Sequence, residues 1–207
     1  MKKLEIEDVV KSITFEEWDE DEVFSEQDII DALLYDNTVP NIKEILPEDY
    51  KWYMAKYGEL GIDIRNVRFL TQYNDDIQIE IDFLSLVDPV EVYRQYAYLT
   101  CTGAYEYRLE DGEECILNTK YLPISLESAW GEILLMDIKD NIGAIWYMPD
   151  KNYCKKYDIK CKEPYFVADN FTNFLKLHIT DELYKQNLES KGFNQLGGKG
   201  TGIWKRV

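Results

Sequence analysis

The stretch that decides the fold is WGEILLMDIKDNIGAIWYM, residues 130–148. It holds two apolar runs, residues 132–138 and residues 144–148, with Asp140-Asn141-Ile142-Gly143 between them. Apolar runs of this length that are bounded by turn residues indicate strands, and a short connection that contains glycine indicates a hairpin. The sequence therefore predicts an antiparallel strand pair with a loop of about four residues.

Segments on both sides of this hairpin predict helices. In ILPEDYKWY, residues 45–53, Pro47 suits the first turn of a helix because its missing N–H would be unpaired there. In VADNFTNFL, residues 167–175, either Asp169 or Asn170 is placed to cap a helix. We expect much of the packing to come from helices around Ile29–Leu34, Tyr50–Tyr57 and Phe171–Leu177, the last of which is expected to carry His178.

Further strands are predicted in residues 67–86 and residues 114–124. In the first segment a turn at Asn74-Asp75-Asp76 separates two strands, and apolar and polar residues of the second strand alternate with a period of two. The second segment adds one or two strands. We therefore predict an α+β fold with a single antiparallel sheet of about five or six strands and helices packed on one face. Whether a strand at the edge runs parallel, which would make the sheet mixed there, is left open.

The chain length of 207 residues fits one domain. Within it, residues 1–24 are interpreted as an acidic N-terminal extension, residues 25–183 as the core and residues 192–207 as a glycine-rich basic tail. The run Gly197–Gly202 lacks the spacing of a phosphate-binding loop, and only five residues follow it. A flexible tail is therefore predicted.

The charge is strongly acidic, with 40 Asp and Glu against 23 Lys and Arg and a net charge of -17. Residues 1–150 hold 34 acidic and 12 basic residues (net -22), and residues 151–207 hold 6 and 11 (net +5). An acidic body repels nucleic-acid phosphates, which argues against a nucleic-acid partner. It would steer a basic protein toward itself, although the same charge would also serve solubility alone.

Several classes of site are disfavoured by the composition. The four cysteines form no CxxC pair, and a single histidine cannot complete a zinc site of the usual spacing. No nucleophile–base pair or phosphate loop is visible, so we predict no catalytic, cofactor or metal site and no enzyme activity. No apolar run reaches the ~20 residues of a membrane helix, and the N-terminus has no apolar signal segment. We expect an unprocessed cytoplasmic protein that does not bind membranes.

In the order and identity of these segments the chain resembles the SUKH superfamily. The resemblance runs from Ser25 to Leu183, and Glu132 and Asn170 depart from it because the family usually has Asp and Ser there. The matching positions are Leu46, Pro47, Tyr50, Tyr53 and Gly58, then Gly131, Ile133, Leu135, Asp137 and Gly143, and finally Val167, Ala168, Phe171, Phe174 and Leu175.

The resemblance implies a binding protein. Bacterial SUKH proteins are commonly immunity proteins that neutralise the toxin domains of polymorphic toxin systems, often nucleases or deaminases, and a fungal relative regulates cell-wall synthesis as an interaction hub. The implied function is an immunity protein that binds a basic toxin domain directly. The alternative is a regulatory interaction module unrelated to a toxin.

The candidate partner-binding residues are acidic positions and one tryptophan. In the run around Trp18, carboxylates surround an aromatic side chain, which is typical of an interface anchor, but burial of Trp18 beside a solvated acidic face would explain the run as well. On the second strand, Glu80 and Asp82 are candidates for a concave sheet surface that receives the partner, and the alternative is an ordinary polar sheet face. At the turn, the alternative explanation of Asp75 and Asp76 is turn chemistry. The candidates are Trp18, Asp19, Glu20, Asp75, Asp76, Glu80 and Asp82.

Residues 87–113 form an insertion that the resemblance does not cover. It contains a cluster of tyrosines, which are enriched at interfaces, so it is a second candidate surface. Packing of these side chains into the core is the alternative. The tyrosines are Tyr93, Tyr96, Tyr98, Tyr105 and Tyr107.

Overall fold

The computed structural model describes residues 5–13, 45–57, 67–81, 120–125, 132–149, 155–156, 164–196 and 202–207. In these ranges the helices are α1 (Glu5–Val10), α2 (Glu48–Tyr57), α3 (Phe171–Leu175) and α4 (Asp181–Ser190). The strands are β1 (Val67–Asn74), β2 (Ile77–Ile81), β3 (Tyr121–Pro123), β4 (Ile133–Asp137), β5 (Ile145–Met148), β6 (Tyr165–Ala168), β7 (His178–Thr180), β8 (Phe193–Gln195) and β9 (Ile203–Arg206).

The strands form two antiparallel sheets. One has five strands in the order β7-β1-β2-β9-β8, and the other has four in the order β3-β4-β5-β6. The α+β prediction is confirmed, but the prediction of a single sheet is wrong. Both edges of the β1–β2 pair are occupied, by β7 and by β9, which leaves no edge of that pair for a strand of the second sheet. Among the described residues the two sheets share no strand pair, and side chains join them. At this meeting the rings of Tyr73 and Tyr165 lie edge to face, 5.3 Å apart.

The two predicted hairpins are present in these sheets. In the first, β1 and β2 are joined at Asp75 and Asp76, and Thr71 lies opposite Ile79. In the second, β4 pairs with β5, and Leu135 lies opposite Trp146. The connection between β4 and β5 is residues 138–144, which is longer than the predicted loop of about four residues.

The main core joins both sheets to α1, α2 and α3. Phe171 of α3 contacts Tyr50 and Tyr53 of α2, with ring centroids 5.1 and 4.9 Å apart, and Phe174 stacks on Phe69 of β1 at 4.5 Å. Fully burying an aromatic side chain of this kind contributes up to about 3 kcal/mol. Helix α1, which lies within the predicted N-terminal extension, also places its apolar residues in this core.

Helices lie on both faces of the five-stranded sheet, so the prediction of helices on one face is wrong. Phe69 of β1 belongs to the main core, and Leu70, whose side chain points to the opposite face of the strand, belongs to a second cluster. In that cluster Leu188 of α4 packs with Phe193 and Trp204. Helix α4 therefore covers the face that the prediction left to solvent.

The C-terminal segment is part of the sheet, which corrects the prediction of a flexible tail for the residues on both sides of the glycine-rich run. Strand β9 lies between β2 and β8, with Ile203 opposite Ile79. The backbone N–H of Glu80 donates to the carbonyl of Gly202 at 2.6 Å. Ile203 and Trp204 are buried, and this burial opposes the flexibility expected from composition. Residues 197–201 lie outside the described residues.

The predicted cap of the last core helix is confirmed, but the position of the histidine is wrong. The Asn170 side-chain oxygen accepts from the N–H of Asn173 at 2.8 Å, and α3 begins at the next residue, Phe171. The helix ends at Leu175, and His178 is the first residue of β7, opposite Phe69. The predicted helix around Ile29–Leu34 lies outside the described residues.

Candidate protein-binding surfaces

The acidic turn between β1 and β2 is formed by Asp75 and Asp76, and both side chains are exposed. The Asn74 side-chain oxygen accepts from the N–H of Asp76 at 2.9 Å, and the Gln72 amide donates to the Asp75 carboxylate at 3.4 Å. Turn chemistry therefore explains why these residue types stand here. It leaves both carboxylates facing solvent, where a partner can reach them.

Glu80 lies on the face of β2 that turns away from the main core, and its side chain is half-buried. Leu70 stands opposite Glu80 across the sheet, and Trp204 stands opposite Gln78. Both apolar residues belong to the cluster that packs under α4. This face of the sheet is consequently neither a plain polar surface nor an open acidic one.

A basic strand end lies beside the acidic turn. Lys205 stands opposite Ile77 and is exposed, and the N–H of Arg206 donates to the carbonyl of Asp76 at 2.9 Å. The Arg206 guanidinium lies over the ring of Phe193, 4.9 Å from its centroid. The turn and the strand end thus form a mixed-charge corner, in which two cationic residues partly offset the two carboxylates.

The structure places only part of the predicted site. Asp75 and Asp76 lie together at the turn, and Glu80 lies near the far end of β2, the strand that follows the turn. The remaining candidates, Trp18, Asp19, Glu20 and Asp82, lie outside the described residues, as does the insertion 87–113.

The motif residues meet inside the molecule. The Asp49 carboxylate, at the start of α2, accepts from the backbone N–H and the hydroxyl of Thr172 at 2.9 and 2.8 Å. Gly143 packs so closely on Pro47 that an added Cβ would lie 2.9 Å from Pro47 Cγ. The three motifs, which are the segments around Pro47, Gly143 and Phe171, therefore join α2, the second hairpin and α3, and this packing accounts for their place in the fold.

Two tyrosines with buried phenol groups, Tyr50 on α2 and Tyr165 on β6, are not placed for acid–base chemistry near neutral pH. Burial raises the pKa of the Tyr50 phenol far above its ordinary value, and the neighbouring Tyr53 raises it further. Burial likewise raises the pKa of Tyr165, with a smaller effect from Glu132. Both phenols stay protonated, as packed core groups do.

The connection between β4 and β5, residues 138–144, is a surface that the sequence analysis missed. Asp137 at the end of β4 is fully buried, and its Oδ1 accepts from the N–H groups of Lys139 and Asp140 at 2.8 and 2.9 Å. Ile142 in this connection is 54% exposed. Two signals in the sequence point to it: an Asp that ends an apolar strand, and an apolar residue inside a polar turn.

Lys120, just before β3, links that strand to the same connection. Its ammonium lies 2.9 Å from Asp140 Oδ2 and 3.8 Å from Asp137 Oδ2. The hydrogen bond to Asp140 raises the pKa of Lys120, and the same bond lowers the pKa of Asp140. Each of the two groups therefore stabilises the charged form of the other.

In the part of the chain that the structure describes, no group of three or more His, Cys, Asp or Glu side chains is arranged to hold a metal ion. Within the same ranges, the helices are too short or too polar to cross a membrane.

A comparison with known families finds a match. A family model described as the SMI1 / KNR4 family (SUKH-1) matches residues 42–177. The matched range includes all three motifs that meet around α2 and α3, and it ends before β7, β8 and β9. No curated protein and no solved structure matches the chain.

Proposed function

Because the chain belongs to the SMI1 / KNR4 family (SUKH-1), we propose that it is a non-enzymatic immunity protein that neutralises a cognate bacterial toxin by direct binding. Family membership is the observation that carries the proposal, since domains of this superfamily bind partner toxin proteins. In this proposal the protein acts in the cytoplasm, and the toxin domain is a basic nuclease or deaminase.

The charge of the protein supports a basic partner. The net charge of -17 includes -22 in residues 1–150. Enzymes that act on nucleic acids carry positively charged surfaces, because these surfaces bind the negatively charged phosphate backbone. A strongly acidic protein would therefore meet such a toxin faster than diffusion alone allows, and salt would slow the encounter.

The acidic positions are the proposed attracting surface. Asp75 and Asp76 are exposed at the β1–β2 turn, and Glu80 lies on the same hairpin. We include the candidates outside the described residues, namely Trp18, Asp19, Glu20 and Asp82. Lys205 beside the turn reduces the local negative potential, so the turn contributes less than an isolated acidic pair would.

The proposal is tested with the polypeptide encoded immediately upstream, purified together with this protein at low and at high salt. We expect a one-to-one complex, loss of the toxin's activity when the protein is added, and an association rate that falls with salt. A complex that leaves the toxin active would favour the alternative function, a regulatory interaction module. If no complex forms and the toxin stays active at either salt, the proposed function is wrong.

Titration separates binding from catalysis. A binding inhibitor stops the toxin's activity at one equivalent and leaves both polypeptides intact in mass. An enzyme that inactivates the toxin would act at a small fraction of one equivalent and would change the toxin's mass. The second result would contradict the non-enzymatic part of the proposal.

A further inference from the structure

The connection between β4 and β5 is longer than a hairpin requires. Strand β4 ends at Asp137 and β5 begins at Ile145, so residues 138–144, here called the β4–β5 loop, join them. Hairpin loops usually have two to five residues, as in the β1–β2 turn of this same protein. The additional residues are a structural feature that strand pairing alone does not explain.

The β4–β5 loop is held by hydrogen bonds at both ends. Asp137 Oδ1 accepts from the N–H groups of Lys139 and Asp140, and the carbonyl of Asp137 accepts from the N–H of Gly143 at 2.8 Å. The N–H of Ala144 donates to the carbonyl of Asn141 at 2.9 Å. Four bonds within so short a segment fix its path closely.

The rest of the protein also fastens this loop. Gly143 has a φ of 91° and packs on Pro47 before α2, so the turn there has no room for a side chain. Lys120 reaches from the start of β3 to the Asp140 carboxylate and lies 5.2 Å from the centre of the Tyr121 ring. The loop is therefore tied to two other parts of the chain.

The carboxylate of Asp137 shows that this order has an energetic cost. The residue is 0% exposed, and its Oδ2 has no hydrogen-bond partner in the described structure, since the Lys120 ammonium at 3.8 Å is too distant for one. Burying a charged group without full pairing is unfavourable. The fold retains this group where its other oxygen holds the loop.

At the tip of the fastened loop the side chains face solvent. Lys139, Asp140 and Asn141 are exposed, and Ile142 is 54% exposed. A single exposed apolar residue needs no explanation by itself. An exposed isoleucine on a long loop held by a buried carboxylate, a positive-φ glycine and an ion pair is a different case, because three separate contacts keep it in one place.

We propose that the β4–β5 loop inserts into the surface of the partner, with Ile142 as its apolar anchor. For the identity of the partner this inference rests on the proposed function: it is the toxin protein, which would offer a shallow apolar pocket rimmed by polar groups. Lys139 and Asp140 balance each other in charge, so this contact does not depend on the acidity of the body.

A fastened loop improves binding because little conformational freedom is lost when the partner arrives. Apolar contacts at the centre of an interface act mainly on the dissociation rate, whereas peripheral charges act mainly on the association rate. The two parts of the surface therefore have separate kinetic signatures. The acidic body sets the speed of encounter, and Ile142 sets the lifetime of the complex.

The experiment compares Ile142→Asp with Phe166→Asp on the full chain, using the upstream-encoded toxin polypeptide as the probe. Phe166, on β6, is 44% exposed, so the control adds the same charge at a comparably exposed apolar residue. We expect Ile142→Asp to speed dissociation by about tenfold or more at low and at high salt, and to change association no more than Phe166→Asp does, because both variants add the same charge. Phe166→Asp should leave both rates within about twofold of wild type.

Equal dissociation rates for Ile142→Asp and wild type would overturn the inference while leaving the proposed function intact. If wild type itself does not bind, the proposed function has failed, and hydrogen exchange of the protein alone still tests the loop. We expect the N–H groups of Asp140 and Gly143 to exchange slowly, because both are hydrogen-bonded. Exchange as fast as in an unstructured peptide would overturn the inference whether or not a toxin binds.

Discussion

The β1–β2 hairpin and the β4–β5 hairpin differ in the segments that join their strands. The β1–β2 turn is short and acidic, and Asp75 and Asp76 project from it into solvent. The β4–β5 loop is longer and balanced in charge, and Ile142 is exposed at its tip. The buried Asp137 holds this loop by accepting hydrogen bonds from two of its backbone N–H groups. Charge acts over a distance of about 10 Å at ordinary salt, whereas apolar contact acts only on touching.

This difference separates attraction from retention. Exposed carboxylates at a turn raise the rate of encounter with a basic protein and add little to the lifetime of the complex. A rigid apolar tip does the reverse, because its contribution appears only after docking. Under the proposed function the protein needs both properties, and the β1–β2 and β4–β5 hairpins would supply them at different points of the surface.

The largest effect is expected from removing the support of the β4–β5 loop. Asp137→Ala deletes the acceptor of two backbone N–H groups, and we expect a loss of about 2–3 kcal/mol in the free energy of unfolding. Asp137→Asn keeps an oxygen in the same place and should lose less. Denaturant unfolding measures both, with Asp75→Ala at the exposed turn as the control, for which about 0.5 kcal/mol or less is expected. Equal losses for Asp137→Ala and Asp75→Ala would remove the contrast between the hairpins.

The next largest effect is expected at two glycines that both have a positive φ angle but differ in how closely other atoms surround them. Gly143 and Gly192 have φ values of 91° and 78°, but a Cβ on Gly143 would press on Pro47, whereas a Cβ on Gly192 would meet nothing within 4 Å. We expect Gly143→Ala to destabilise by about 2 kcal/mol and Gly192→Ala by about 1 kcal/mol. Thermal unfolding of the two variants measures the difference. If Gly192→Ala were the more damaging, close packing would not be what holds the loop.

The contrast between these regions also explains what the sequence could and could not predict. Strands β1, β2, β4 and β5 and the start of α2 were predictable because each carries a local pattern, either strict alternation or an apolar run with a glycine or proline at its boundary. Strands β7, β8 and β9 have three or four residues each, too few for a period. Ile203 and Trp204 form a strand because β2, more than a hundred residues earlier, pairs with them.

The candidate surfaces divide in the same way. Acidic positions such as Asp75 and Asp76 are visible in the composition, and their exposure follows from turn chemistry. The loop position Ile142 was not found, because the sequence shows neither that Asp137 is buried with an oxygen aimed at the loop nor that Lys120 reaches Asp140. Those contacts depend on the packing of three separate chain segments.

A smaller effect is expected from releasing the ion pair that ties the loop to β3. Lys120→Met removes the bond to Asp140 and should lower the melting temperature slightly, as the loss of a surface ion pair does. The pKa of Asp140 is lowered, so the contribution of the pair is present above the ordinary carboxyl pKa and is lost as pH falls through the lowered value. The pKa of Lys120 is raised, so the contribution is also lost as pH rises through that raised value. The difference in melting temperature between wild type and Lys120→Met should therefore be largest near neutral pH and vanish at both extremes. A difference that does not change with pH would assign the effect to the apolar stem of Lys120 instead.

The smallest effect is expected at the acidic turn, and it is kinetic. Asp75→Asn with Asp76→Asn removes two exposed charges but keeps the turn, because the Asn74 oxygen bonds the backbone N–H of residue 76. We expect the association rate with the basic toxin to fall about two- to threefold at low salt, with stability and dissociation unchanged. Lys205→Gln removes a positive charge from the same mixed-charge corner and should raise that rate. If the two variants change the association rate in opposite directions at low salt, and the rates become equal at high salt, the mixed-charge corner acts through its electrostatic field. Equal rates for all three proteins at low salt would mean that the partner approaches elsewhere on the acidic body, and the turn would then serve only to join two strands.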